Sequence, residues 1–102
     1  MIRAAGSGVN SLSPDLLAFR QGRQYAIECK AWESGSLSFP KEKAAAMKKW
    51  EEVTGITYLI GWRVNRDGWF IFPVHLLEEK EKTFTITLVK AKLAGRKPED
   101  LI

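Results

Sequence analysis

Residues 14–31, with the sequence PDLLAFRQGRQYAIECKA, predict a β-hairpin. Residues 15–20 have the apolar, extended pattern of a strand, and residues 23–31 have the pattern of its return strand. Gln21 and Gly22 between them have the composition of a two-residue turn. We therefore expect this hairpin to start a β-sheet.

The register of the hairpin brings two carboxylates together. A two-residue loop places Asp15 opposite Glu28, with Cβ atoms about 4.5–5.5 Å apart, and like charges at that distance destabilise a sheet. A hard divalent cation such as Mg²⁺ relieves this repulsion, because it binds one or two carboxylates and keeps several waters. The pattern therefore indicates a metal site formed by Asp15 and Glu28, with the backbone carbonyl of Cys29 as a further ligand.

Side-chain alternation places Lys30 on the same face of its strand as Glu28, which adds an ammonium to the two carboxylates. An ammonium at this place can stabilise negative charge developing on phosphorus, so the set suits phosphodiester hydrolysis. The pattern also has a plainer interpretation. Glu28 and Lys30 would then lie on a solvated face, and Asp15, following Pro14, would be a turn residue.

The rest of the chain predicts a small mixed sheet with a crossover helix, of the α/β or α+β class. The expected elements are a loop over 33–38, a helix over 40–54 that Gly55 ends, and strands over 56–64, 69–72 and 83–89. The last dozen residues show no comparable pattern.

Composition limits the possible functions. The 102 residues predict one domain over 1–102, and the net charge of +4 is compatible with a nucleic-acid surface without requiring one. A single cysteine excludes an internal disulfide and a zinc site built on several cysteines, and a single histidine disfavours a Ser-His-Asp triad. No apolar run approaches the roughly 20 residues that span a bilayer. We therefore expect a cytoplasmic protein that has no contact with a membrane.

Three segments of the chain resemble a known family. Pro14-Asp15 followed by Glu28-Cys29-Lys30 matches the signature of the PD-(D/E)xK restriction-endonuclease-like nucleases. Together with the flanking residues, the segments IRAAGSG (2–8), PDLLA (14–18) and AIECK (26–30) are similar to archaeal Holliday junction resolvases. The similarity continues through Trp50, Gly55, YLIG (58–61) and WFIFP (69–73). It covers a core of residues 2–77 and leaves 78–102 as a C-terminal extension.

The resemblance implies a restriction-endonuclease-like mixed β-sheet flanked by helices. It also implies a structure-selective endonuclease that resolves four-way DNA junctions by paired phosphodiester hydrolysis, in DNA recombination and repair. Members of the family act as homodimers with Mg²⁺ or Mn²⁺, so we expect junction DNA as the partner, a second copy of the chain, and no small-molecule cofactor. A nucleoid-associated location in the cytoplasm follows from that activity.

The same resemblance assigns roles to residues. The expected catalytic positions are Asp15, Glu28, Lys30, Arg3 and Ser7. Of these, the two acids would bind the metal together with the Cys29 carbonyl, Lys30 would be the catalytic lysine, and Arg3 would serve the scissile phosphate. Ser7 would be the loop serine, a role for which Ser11 and Ser13 are alternatives.

The chain departs from the family at its start. Family members place a helix with a further acidic residue ahead of the position of Arg3, whereas this sequence starts at Met1. We therefore expect the fold to lack that helix. Two alternative functions stay open for this reason: another PD-(D/E)xK DNA endonuclease, or a non-catalytic DNA-binding or dimerisation module.

Overall fold

Two β-sheets and two α-helices form the part of the chain that the computed structural model describes, residues 3–4 and 14–97. In chain order the elements are β1 (Arg3–Ala4), β2 (Leu16–Arg20), β3 (Arg23–Ala31), β4 (Ser36–Pro40), α1 (Lys41–Thr54), β5 (Thr57–Val64), β6 (Gly68–Pro73), a 3₁₀ turn (Val74–Leu76), β7 (Glu78–Glu79), β8 (Thr83–Thr87) and α2 (Leu88–Ala94). Neither α1 nor α2 has the length and hydrophobicity that a bilayer-spanning helix requires.

A five-stranded sheet with the order β1-β2-β3-β5-β6 carries the fold. Its pairs are antiparallel except for β3 and β5, which run parallel and place Glu28 beside Ile60. Parallel neighbours need a long crossover connection, and here β4 and α1 supply it. The predicted mixed sheet with a crossover helix is therefore confirmed.

The predicted hairpin is confirmed in both its turn and its register. Gln21 and Gly22 have φ angles of 47° and 80°, and positive values at both loop residues match the twist of the flanking strands. Strand pairing runs from Arg20 opposite Arg23 to Leu16 opposite Ile27. The paired stretch ends one residue short of Asp15, which lies just before β2.

Helix α1 ends where the sequence predicts. Gly55 adopts the left-handed conformation with φ 73°, and its backbone N–H donates to the carbonyl of Glu51 at 2.8 Å. Glycine adopts this conformation without the steric cost that a Cβ brings. Ala44 and Met47 are the buried residues of α1 and pack it against the sheet.

Three strands and one α-helix of the structure were not expected from the sequence: β1, β4, β7 and α2. The segment predicted as a loop over 33–38 includes the first three residues of β4, which pairs with β8 in a second sheet of order β4-β8-β7. The predicted strand over 83–89 ends at Thr87, because the Thr87 side chain accepts the Lys90 backbone N–H at 3.2 Å and starts α2. Hydroxyl side chains at this position satisfy N–H groups that have no partner within the helix.

The core lies between one face of the five-stranded sheet and a layer made of α1, the second sheet and α2. Its largest fully buried side chains are Trp62, Tyr58, Phe39, Phe72, Met47, Ile60, Ile86 and Val74. In β3 the core face is the face of Ala26 and Glu28, which are 0% and 5% exposed. The packing therefore encloses a carboxylate.

Candidate active site

Glu28 lies on the core face of β3 near the carboxyl end of that strand, facing the first turn of α1. It is the one charged residue among the buried residues of the described chain. A buried carboxylate is expensive unless other groups compensate its charge, so the interpretation of Glu28 as part of a solvated face is wrong. Lys30, two residues further along, is exposed. The site therefore has a buried acidic end and an open basic end.

Asp15 reaches the same strand by a backbone contact. Its Oδ2 accepts the backbone N–H of Cys29 at 2.8 Å. In a hairpin with a two-residue loop, the pair that flanks the loop is hydrogen-bonded and such pairs recur at every second residue. The backbone N–H and C=O of Cys29 thus face the β2 side, just beyond the point where β2 begins. The carboxylate of Asp15 takes the place of the missing strand partner of Cys29 and is held at the residue that directly follows Glu28.

Two side chains from other elements contact Glu28. The hydroxyl of Tyr58 on β5 donates to Oε1 at 3.4 Å, and Nζ of Lys43 on α1 lies 3.5 Å from Oε2. Both distances are longer than the roughly 2.7–2.9 Å of a strong charge-assisted hydrogen bond. The Glu28 oxygens therefore keep capacity for a further ligand.

The charges of both carboxylates act on the same neighbours. Burial raises the pKa of the Tyr58 hydroxyl well above its ordinary value, and the charge and hydrogen bond of Glu28 and the charge of Asp15 raise it further. Burial, then Asp15, then Glu28 raise the pKa of the Cys29 thiol. Tyr58 thus stays a hydrogen-bond donor, and Cys29 stays an unreactive neutral thiol.

The donor set suits a hard divalent cation. Within residues 14–97, no group of three or more His, Cys, Asp and Glu side chains could hold a metal ion. Mg²⁺ does not need such a group, because it is held by one or two carboxylates together with water and substrate phosphate oxygens. Asp15 and Glu28 fit this requirement, and Cys29, whose backbone N–H donates to Asp15, directly follows Glu28 on β3.

The structure gives fewer contacts for the other predicted site residues. Lys30 Nζ lies 6.0 Å from the ring centroid of Phe39, close to the first turn of α1. The backbone of Arg3 pairs with Leu17, two residues after Asp15. Ser7 and the alternative loop serines lie outside the described residues. The roles of Lys30, Arg3 and Ser7 stay predictions.

Two residues of the site, Lys43 and Tyr58, were not predicted from the sequence. A tyrosine in an otherwise apolar strand is a weak signal, because its hydroxyl needs a partner once the ring is buried. A lysine in the first turn of a helix is a second signal, because it opposes the helix dipole. Neither signal identifies Glu28 as the group contacted.

Comparisons with known proteins agree with the resemblance found in the sequence. The family described as "Archaeal holliday junction resolvase (hjc)" matches residues 1–99. The crossover junction endodeoxyribonuclease Hjc of Archaeoglobus fulgidus is 34% identical over 87 residues, which are 83% of this chain and 63% of that relative.

A crystal structure gives the same result for the fold. The structure of Archaeoglobus fulgidus Hjc, described as a Holliday junction resolvase, superposes with a TM-score of 0.85 at 28% identity and covers 98% of this chain and 83% of that one. The expected restriction-endonuclease-like fold is therefore confirmed. This chain belongs to the archaeal Holliday junction resolvase (Hjc) family.

Proposed function

We propose that this chain is a divalent-metal-dependent endonuclease that resolves four-way DNA junctions. The observation that carries the proposal is the buried carboxylate of Glu28 beside Asp15, at the position of the nuclease signature in a chain of this family. A relative named crossover junction endodeoxyribonuclease supports the reaction and the substrate. Because the chain spans 63% of that relative's length, the activity is proposed for this chain and not transferred to it.

Asp15 and Glu28 would hold the metal with the Cys29 carbonyl, and Mg²⁺ is the ion proposed, with Mn²⁺ as a substitute. When bound, such an ion supplies Lewis-acid stabilisation of the phosphate and lowers the pKa of a bound water. Tyr58 keeps the Glu28 carboxylate in one orientation through its hydrogen bond. The backbone N–H of Cys29 fixes the Asp15 carboxylate in the same way.

Lys30 provides positive charge at the open end of the site. Its exposed ammonium can approach the scissile phosphate, where a fixed cation stabilises the charge that develops during bond cleavage. We assign Arg3 to the same phosphate or to its neighbour, and Ser7 to the loop beside it. These assignments rest on the family signature.

A four-way junction presents two equivalent strand pairs, and a two-fold dimer presents two equivalent sites. We therefore propose that a homodimer makes the paired cuts. Most of the binding free energy would come from phosphate contacts, so affinity should fall steeply as salt concentration rises. Molar mass by light scattering, with and without junction DNA, tests the dimer.

The test is a synthetic four-way junction, labelled in turn on each strand and incubated with Mg²⁺. We expect paired nicks in opposed strands that disappear with chelator and with Asp15→Asn. Glu52→Gln is the matched control, since it removes one negative charge from the exposed face of α1 and should leave cleavage unchanged.

Three other results would overturn the proposal. Cleavage that Asp15→Asn does not reduce would exclude this site. Equal cutting of linear duplex would indicate a different PD-(D/E)xK endonuclease. Junction binding without cleavage, in Mg²⁺ and in Mn²⁺, would indicate a non-catalytic DNA-binding module.

A further inference from the structure

Among the residues that the structure describes, the basic group recorded in an ion pair with Glu28 comes from a helix and not from the nuclease signature. Lys43 Nζ lies 3.5 Å from Glu28 Oε2, and the two side chains are 25% and 6% exposed. Lys30, the lysine of the signature, is instead exposed beside Phe39. Two lysines therefore flank the two carboxylates, and the structure gives them different surroundings.

The position of Lys43 is not explained by the stability of its helix. It is the third residue of α1, where a positive side chain opposes the helix dipole. The neighbouring Ala44 is fully buried and fixes this turn against the sheet. The ion pair with Glu28 compensates for this unfavourable position and also offsets the cost of burying the carboxylate.

The geometry of the Lys43–Glu28 ion pair allows another positive group to replace Lys43 as the partner of Glu28. An N–O distance of 3.5 Å is an ion pair without a short hydrogen bond. A partly exposed lysine on a flexible stem can turn towards solvent when the carboxylate acquires another positive partner. A divalent cation between Asp15 and Glu28 would be such a partner, and it would repel the ammonium.

We propose that Lys43 is the resident counter-ion of the metal site. Its ammonium balances Glu28 while no divalent cation is bound, and it leaves Glu28 for a DNA phosphate when the cation and the substrate arrive. This inference rests on the proposed function, because it takes Asp15 and Glu28 as the metal ligands. Lys43 is a positioning residue in this scheme, whereas Lys30 stays the proposed catalytic lysine.

The experiment is calorimetric titration of the full chain with Mn²⁺ in the absence of DNA, for the wild type and Lys43→Met. Methionine keeps the apolar stem and removes the charge. We expect the dissociation constant for Mn²⁺ to fall roughly tenfold, since the ion no longer competes with an ammonium for the Glu28 carboxylate. Lys49→Met, an exposed change on the same helix, is the matched control and should change the constant little.

Two further measurements distinguish displacement of Lys43 by the metal ion from a merely structural role of Lys43. The metal-free melting temperature should fall in Lys43→Met, and saturating Mn²⁺ should close the gap to the wild type. Junction binding in Ca²⁺ should lose about one unit of its slope against log salt, because one phosphate contact is lost. Lys43→Arg keeps the charge and should retain the wild-type Mn²⁺ affinity. If Lys43→Met does not fold, Lys43→Gln is used in its place.

Mn²⁺ binding that is unchanged or weaker in Lys43→Met would overturn the inference, even if the wild type cuts junctions. The expected shifts in a chain that binds Mn²⁺ but does not cut junctions would support the inference and overturn the proposed function. A wild type that binds no Mn²⁺ would overturn both.

Discussion

Two glutamates lie at the interface between α1 and the sheet, and both accept a hydrogen bond from Tyr58. Glu51 accepts the backbone N–H of Tyr58 at 2.8 Å, and its other oxygen pairs with the exposed His75. Glu28 accepts the hydroxyl of the same tyrosine at 3.4 Å, and its other oxygen faces Lys43 at 3.5 Å. Each carboxylate thus has one partner from Tyr58 and one basic side chain.

The difference lies in how fully the oxygens are used. Glu51 is half-buried and fixes the end of α1 to the start of β5 through a short backbone contact. Glu28 is almost fully buried, has longer contacts, and lies beside a second carboxylate, Asp15. A carboxylate with a structural role uses its oxygens for short hydrogen bonds within the protein. A carboxylate that binds a ligand keeps at least one oxygen available for that ligand. The comparison predicts opposite results for changes at the two positions.

The largest effect is expected for Glu28→Gln. Because even residues behind a metal ligand typically contribute 10–100-fold to activity, loss of the ligand itself should reduce junction cleavage by more than about 100-fold. The amide still accepts from Tyr58 and needs no compensating charge, so the free energy of unfolding should change by less than about 1 kcal/mol. Single-turnover cleavage and urea unfolding measure the two quantities. A variant that cuts normally would remove the distinction between the two glutamates.

Glu51→Ala should give the reverse result. It leaves the Tyr58 backbone N–H without its partner, which costs about 1–3 kcal/mol of unfolding free energy. Cleavage at a temperature where the variant stays folded should be within a factor of about three of the wild type, since Glu51 contacts the backbone N–H of Tyr58 and not the hydroxyl that faces Glu28. Urea unfolding measures the loss, and Glu52→Ala, exposed on the same turn, is the control. Lost cleavage in a folded Glu51→Ala would contradict the comparison.

Tyr58→Phe separates the two contacts within one residue. It removes the hydrogen bond to Glu28 and keeps the backbone N–H for Glu51. We expect cleavage to fall about tenfold, as for other residues that orient a metal ligand, and the circular-dichroism spectrum to stay unchanged. An unaltered cleavage rate would show that Lys43 and the strand hold Glu28 without the tyrosine.

The smallest effect is expected in the pH dependence of stability. The pKa of Tyr58 is raised in the folded chain above its ordinary value of 10.0, so the folded state binds the proton more tightly. The resulting stability is complete below pH 10.0 and is lost as the pH rises towards the raised value. Urea unfolding from pH 8 to 11 should therefore show a shallower alkaline loss in Tyr58→Phe than in the wild type. If the unfolding free energies of the two chains fell in parallel with pH, the assignment of the alkaline loss to Tyr58 would be contradicted.

Local signals in the sequence were sufficient for the hairpin and for the end of α1. The Gln21-Gly22 turn fixes its own register, and Gly55 ends the helix by its own conformational freedom. Strand β4 was missed although Leu37 and Phe39 alternate with polar residues and are buried. Its stability comes from pairing with β8, which lies far along the chain, and short segments rich in serine resemble loops until that partner is known.

A two-residue turn and strand alternation act over a few residues, so they are sufficient to predict that Asp15, Glu28 and Lys30 lie near one another. The folded chain was needed to show which face of β3 is buried and which of the lysines on α1 pairs with Glu28. These depend on how α1 packs across the sheet, and that packing is set by contacts between residues distant in the chain. The environment of the site is therefore a property of the assembled core, whereas the identity of its acids is a property of the hairpin.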